Sequence, residues 1–291
     1  MKNLKILELN KKELEEKELK EKEEKELKEK EEKEQKELKR KEELQEARRN
    51  FKIALMRDDV DYIMDHYNDN LIEPFKLLQY TIMENLQNIF KFYLEKDKIK
   101  TKKEINSLIN KAILQDNLYF LQTILETYDG YDLNIPNLNY NGIIDYYHIN
   151  TAIYEKKKNH LKCLIRYGAR VDNIYLNENE SSIHLAIMVK DIEILQILVE
   201  NQHSSNVINH FNKQLNSPLH LAVLYEDVNL VKILVENGAD FNIKNKNGFT
   251  PLDLLKLNET KIYELSIKLQ KSRVIIEYLE SKNALTTFFS I

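Results

Sequence analysis

The sequence predicts an all-α chain in two parts: a long charged single helix, then a solenoid of stacked helix-turn-helix pairs joined by short hairpin loops. Three observations carry that prediction. Residues 1–50 form one polar, helix-favouring run with neither Gly nor Pro. Residues 51–291 repeat a pattern of apolar stripes at intervals of 33 to 36 residues. The 291 residues include only five glycines and four prolines, so chain breaks are few and fall between helical segments.

The first fifty residues contain 17 Lys/Arg and 17 Glu, and the unit KELKEKEE occurs twice in tandem between Lys17 and Glu32. Glu precedes Lys by four residues in nine pairs, from Glu13–Lys17 through Glu24–Lys28 to Glu37–Lys41. That spacing and orientation support a helix in water without any core, and Glu, Lys, Leu and Gln are good helix formers. A coiled coil needs an apolar residue at a and d of every heptad. Leu14, Leu19, Leu27, Leu38 and Leu44 are spaced 5, 8, 11 and 6 apart, too sparse for that seam. The segment reads as a spacer of roughly 60 Å over residues 11–50, at about 1.5 Å per residue, with a weak or partner-dependent coiled coil and plain disorder as the competing readings.

Self-comparison organises the rest. In SPLHLAVLYEDVNLVKILVENGADFNIKNKNGFTPLDLL, Pro218 recurs as Pro251 after 33 residues. His184 and Ala186 stand 36 residues before His220 and Ala222, and Ala152 stands 34 before Ala186. Further back, Ala112, Thr81 and Ala54 occupy the same small-residue slot. This pattern resembles the ankyrin repeat family, whose unit of about 33 residues contains T-P-L-H-x-A. The resemblance covers about residues 51–285; it is strong over 181–255, good over 143–175 and degenerate elsewhere. It implies a repeat domain over 51–291 of about seven units, clearest at 143–285, with residues 1–50 outside it.

The residues of the best unit support the same reading independently. Leu230, Val231, Ile233, Leu234 and Val235 make a broad apolar face at helical spacing. Pro218 suits a first helical turn, Gly238 suits a left-handed C-cap, and Asn247-Gly248 suits a loop tip. Glu226-Asp227 and Lys190-Asp191 stand where the family usually has Gly between the helices. No unit can bury its apolar face alone, so stability is expected from stacking.

Composition excludes several classes of function. The net charge of −4 belongs to residues 51–291, where the remaining 27 Lys/Arg face 31 Asp/Glu. A weakly acidic body without a basic stripe does not suit duplex nucleic acid. The opening MKNLKILELN lacks the apolar core of a secretory signal, no run is long enough for a membrane span, and the single Cys163 forms no intrachain disulfide. An intracellular, cytoplasmic protein is expected, the nucleus not excluded. Gly142, Gly238 and Gly248 fit no phosphate-cradling motif, and no serine sits in a nucleophile elbow. His203 and His210 lack partners at metal-ligand spacing, and Cys163 falls on an apolar helix face as a core thiol. No catalytic residue, cofactor or metal site is expected. His184 and His220 fill the T-P-L-H slot, where the resemblance implies loop hydrogen bonding.

The resemblance implies a binding surface built from loop tips and first helices. The residues it places there are Tyr146, Tyr154, Met188, Tyr225, Lys246 and Phe249, a strip rich in aromatics and Met of the kind that favours interface cores; Leu224 and Val189 are expected to pack between units. Leu234, Asp240 and Phe241 precede Asn242 at eight, two and one residues, a spacing similar to that recognised by an asparaginyl hydroxylase. The same Asn also suits a loop-holding role. The expected function is a monomeric, non-catalytic scaffold for another protein. The alternative is a structural protein whose charged helix self-associates while the repeats cap it.

Overall fold

A computed structural model describes residues 2–66, 72–96, 99, 101–136, 147–172, 174–175, 179–202, 207–261 and 266–283. The chain forms two compact units, residues 1–73 and 74–291, each taken by itself below.

In the first unit, α1 (Lys2–Met56) is a 55-residue helix. It runs through residue 50 without a break, and every described side chain before Phe51 is exposed or half-buried. Leu27 and Leu38 are 57% and 59% exposed, so no apolar seam is covered within the chain. The i,i+4 pairs Glu24–Lys28 and Glu37–Lys41 close at 3.7 and 2.8 Å. The character of α1 changes at its end. Phe51, Ala54 and Leu55 are buried, and the chain reverses into α2 (Val60–His66), which buries Ile63.

The second unit consists of helix pairs: α3 (Pro74–Met83) with α4 (Gln87–Glu95), α5 (Lys102–Leu114) with α6 (Leu118–Thr127), α7 (His148–Tyr154) with α8 (Lys158–Arg166), α9 (Ser182–Met188) with α10 (Ile192–Glu200), α11 (Pro218–Leu224) with α12 (Val228–Glu236), and α13 (Pro251–Lys261) with α14 (Ser266–Ser281). First helices pack on neighbouring first helices and second helices on second helices, which gives two layers. The only strands among the described residues, β1 (Ile174–Tyr175) and β2 (Glu180–Ser181), form a short antiparallel ladder in the loop before α9.

One backbone device closes six of the hairpins. The carbonyl of the slot residue (Ala54, Thr81, Ala112, Ala152, Ala186 or Ala222) accepts the N–H five residues on, at 2.8–3.4 Å. The bond forms because the intervening residue (Asp58, Asn85, Asp116, Lys156, Lys190 or Glu226) takes a left-handed conformation with φ of 51–58°. Asn and Asp tolerate that region; Lys and Glu enter it at a cost of about 1–2 kcal/mol. All six slot residues are at most 5% exposed. Thr81 fits by donating its hydroxyl to the Leu78 carbonyl at 2.8 Å. Second helices end in the same way: at Gly168 and Gly238 (φ 93° and 92°) the next N–H returns to Leu164 and Leu234 at 2.9 Å. Pro218 heads α11 at its first turn. On α12, Leu230, Val231 and Leu234 are buried, whereas Ile233 and Val235 are half-buried, a narrower face than the spacing predicts.

Candidate protein-binding surface

Loop chemistry fixes where the exposed side chains point. Ser181 caps α9, and its N–H and hydroxyl donate to His184 Nδ1 at 3.2 and 2.9 Å. The opposite nitrogen, Nε2, donates to the Asn216 carbonyl in the next loop at 3.1 Å. Ser217 and His220 repeat the arrangement, with Nε2 on the Phe249 carbonyl at 3.0 Å. Each imidazole thus accepts on one side and donates on the other, which only the neutral ring can do. Burial holds His184 well below the usual range, at about 4, and lowers His220 as well.

Two features lie beyond the sequence reading. His148 is fully buried, with its ring nitrogens 2.8 Å from the side-chain oxygens of Asn106 and Asn110, and burial drives it down to about 3. Asn134 and Asn209 brace neighbouring loops: each side chain donates to a Gly carbonyl (Gly168, Gly238) and accepts the N–H two residues later (Arg170, Asp240).

A row of apolar side chains is exposed on the first helices. Two residues after each small slot, Met83, Leu114, Tyr154, Met188 and Leu224 are 53%, 52%, 40%, 39% and 43% exposed. They stand one per first helix along the layer from α3 to α11, and Leu257 holds the same offset on α13, half-buried. Met56, also exposed, has the same offset from Ala54 in the first unit. Tyr154 and Met188 were expected there. Leu224 was expected to pack between units and is instead exposed, at the same offset from its slot residue as the others in the row. Val189 is half-buried. Met83 and Leu114 escaped the sequence reading, although the constant offset from Thr81 and Ala112 identifies them.

The remaining expected residues are scattered. Tyr225 is 39% exposed at the end of α11, with Lys190 Nζ 4.7 Å from its ring centre. Phe249 is half-buried and Lys246 exposed at a loop tip. Asn242 is half-buried, and its main-chain N–H donates to Asp240 Oδ1 at 2.8 Å. Tyr146 and His203 lie outside the described residues. Cys163 is buried on α8, where burial pushes its thiol up to about 11. Among the described residues, no group of three or more His, Cys, Asp or Glu is placed to hold a metal ion, and no helix is long and apolar enough to cross a membrane.

The second unit is therefore an all-α repeat domain of helix hairpins stacked in two layers and tied through their loops. Residues 149–254 match the family model for ankyrin repeats (3 copies), a span that takes in α7–α12 and their His-braced loops. The chain is an ankyrin-repeat protein over that segment. Among solved structures it is similar to the ankyrin repeat domain of Bcl-3, described as a unique member of the IkappaB protein family, with a TM-score of 0.52 and 20% identity. That likeness covers 60% of this chain and 75% of the other, and at this identity it concerns the fold. No curated protein sequence matches the chain. Ankyrin repeats generally mediate protein–protein interaction and are typically non-catalytic.

Proposed function

We propose that this chain is a non-catalytic scaffold that holds another protein along the first-helix row. The observation that carries the reading is the exposed apolar side chain at one fixed offset on five consecutive first helices, Met83 through Leu224. A soluble surface seldom aligns large apolar groups without a partner for them, and Met and Tyr adapt well to such contacts. A photo-crosslinking residue placed at Met188 in the full chain is expected to capture a partner in cells, whereas the same residue at Lys232, on a second helix, is not. Capture at Lys232 alone, or loss of no partner in a Tyr154→Ala/Met188→Ala variant, overturns the reading. Self-association through α1 is the alternative, and sedimentation over a range of concentrations separates the two: a monomer throughout supports the scaffold.

The same reading includes Asn242 as a hydroxylation site, since it occupies the loop position at which Asn134 carries a brace. Both residues receive an Asp side chain two residues back on their own N–H, at 2.8 and 2.9 Å. Incubation with an asparaginyl hydroxylase is expected to add one oxygen to the peptide containing Asn242, read by mass spectrometry; no addition refutes it.

A further inference from the structure

The loops before α11 and α13 are built alike. In each, an Asn side-chain oxygen accepts the N–H groups two and four residues on: Asn212 from Gln214 and Asn216, Asn245 from Asn247 and Phe249. The tips are tied to each other, since Lys246 N–H donates to the Gln214 carbonyl at 3.1 Å and Asn245 Nδ2 donates to Asn216 Oδ1 at 3.0 Å. They differ at one backbone position. The second tip has Gly248 at φ 79°, whereas the first has Leu215 at φ 54°. A leucine holds a left-handed conformation that glycine would adopt freely, and its side chain is 47% exposed. Phe211, in the same loop, is 37% exposed, and Phe249 on the second tip is half-buried.

The charge on these tips has one sign. Residues 210–216 and 243–249 contain Lys213, Lys244 and Lys246, all exposed, and no Asp or Glu. The loop before α9 instead carries Glu178 and Glu180 in its sequence, so the basic patch is confined to two tips and suits a short segment.

We propose that these paired tips recognise an acidic segment of the partner in which carboxylates alternate with aliphatic side chains, the carboxylates meeting Lys244 and Lys246 and the aliphatic groups meeting Leu215 and Phe211. This rests on the scaffold reading and names the chemistry of its partner. Charge complementarity selects the acidic component, and the exposed leucine favours an aliphatic group over a stacked base.

The test is selection from a random 16-residue peptide-display library on the full chain. The expected winners pair Asp or Glu with Leu, Ile or Val. The best of them is expected to lose at least fivefold in affinity on Leu215→Asn, a residue that the loop before α9 already carries in this conformation as Asn179 at φ 55°, with no fall in Tm. Lys244→Glu/Lys246→Glu is expected to cost at least tenfold. Neutral or basic winners, no enrichment, or indifference to both tip variants overturns the proposal, as does tip-dependent binding of a single-stranded oligonucleotide without peptide enrichment. Winners that respond to Tyr154→Ala/Met188→Ala but not to the tips leave the scaffold standing and remove this inference; winners that respond to neither remove both.

Discussion

The helix pairs α3–α6 and α9–α12 share one backbone and differ in their loops. Both close each hairpin with the same five-residue return bond to a buried slot residue, and both leave a large apolar side chain exposed two residues later. The difference is at the N-caps. Thr101 caps α5 with Glu104, whose carboxylate accepts the Thr101 N–H and hydroxyl at 3.1 and 2.7 Å. Ser181 and Ser217 are capped by His184 and His220, whose second nitrogen continues into the next loop. The comparison teaches that the hairpin needs only the return bond and a small buried residue. The His-braced loops are an added layer, and they fall within residues 149–254, the span that the family model matches.

Acid is expected to break the two regions apart, and this is the largest effect. Between His66 and His148 the sequence has no histidine, whereas His148, His184 and His220 are buried in the braced region, with His148 and His184 held at about 3 and 4. A folded-state value below the unfolded one, about 6.5, means that the unfolded chain binds more protons as pH falls. The stability these rings contribute is complete above about pH 6.5 and drains away down to their folded values. For His184 alone that is roughly 3 kcal/mol. Hydrogen exchange between pH 6.5 and 4 is expected to show α9 and α11 opening while α3 and α4 stay protected; α5, whose Asn106 and Asn110 hold His148, is expected to follow the braced region. Uniform opening would show that the bracing does not distinguish the regions.

Core truncation tests what the regions share. Leu121 on α6 and Leu234 on α12 are both fully buried. Each Leu→Ala is expected to destabilise by about 2–5 kcal/mol, measured by urea unfolding of the full chain. A Leu121→Ala cost below about 1 kcal/mol would mean that the N-terminal pairs are loosely packed. Lys246→Ala at the loop tip is the control, at less than about 0.5 kcal/mol.

Removing one capping partner sharpens the contrast. His220→Ala strands the Ser217 N–H, leaves the Phe249 carbonyl with only the Asn245 N–H as donor, and is expected to cost about 1–3 kcal/mol. Glu104→Ala loses one local cap, worth about 1 kcal/mol or less. Equal costs would mean that the second nitrogen of His220 contributes nothing across the loop.

How much was legible in the sequence follows the same division. The slot residues could be read even where the repeat is degenerate, because a small side chain at fixed phase on an apolar helix is a local signal. Gly238 and Pro218 were legible as helix ends for the same reason. The exposure of Met83 and Leu114 was not, since an apolar residue in a helix reads as core unless the hairpin register is known. Nor was His148, whose two Asn partners lie 38 and 42 residues back. The braces at Asn134 and Asn209 were equally hidden, because an Asn in a loop looks the same whether it holds its own turn or the next one.

The smallest expected effect concerns α1, where the contrast between local and long-range support is most complete. Stacked helices depend on neighbours tens of residues away, so an isolated pair has an apolar face with nothing to cover it. The exposed length of α1 has no such dependence: its described side chains from Glu24 to Asn50 are exposed or half-buried, and its ion pairs span four residues. At Glu37, the hydrogen bond and charge of Lys41 hold the carboxyl below its usual range. A peptide of residues 11–50 is therefore expected to be helical and monomeric in low salt by circular dichroism and sedimentation. Added salt screens exposed pairs at these separations and is expected to lower the helicity modestly, while good intrinsic helix formers retain most of it. Glu37→Gln should produce a smaller fraction of the same loss, since it removes one charge pair among many. A random-coil spectrum in low salt would mean that α1 needs support from outside its own sequence, and helicity that rises with peptide concentration would identify that support as a second copy of the helix.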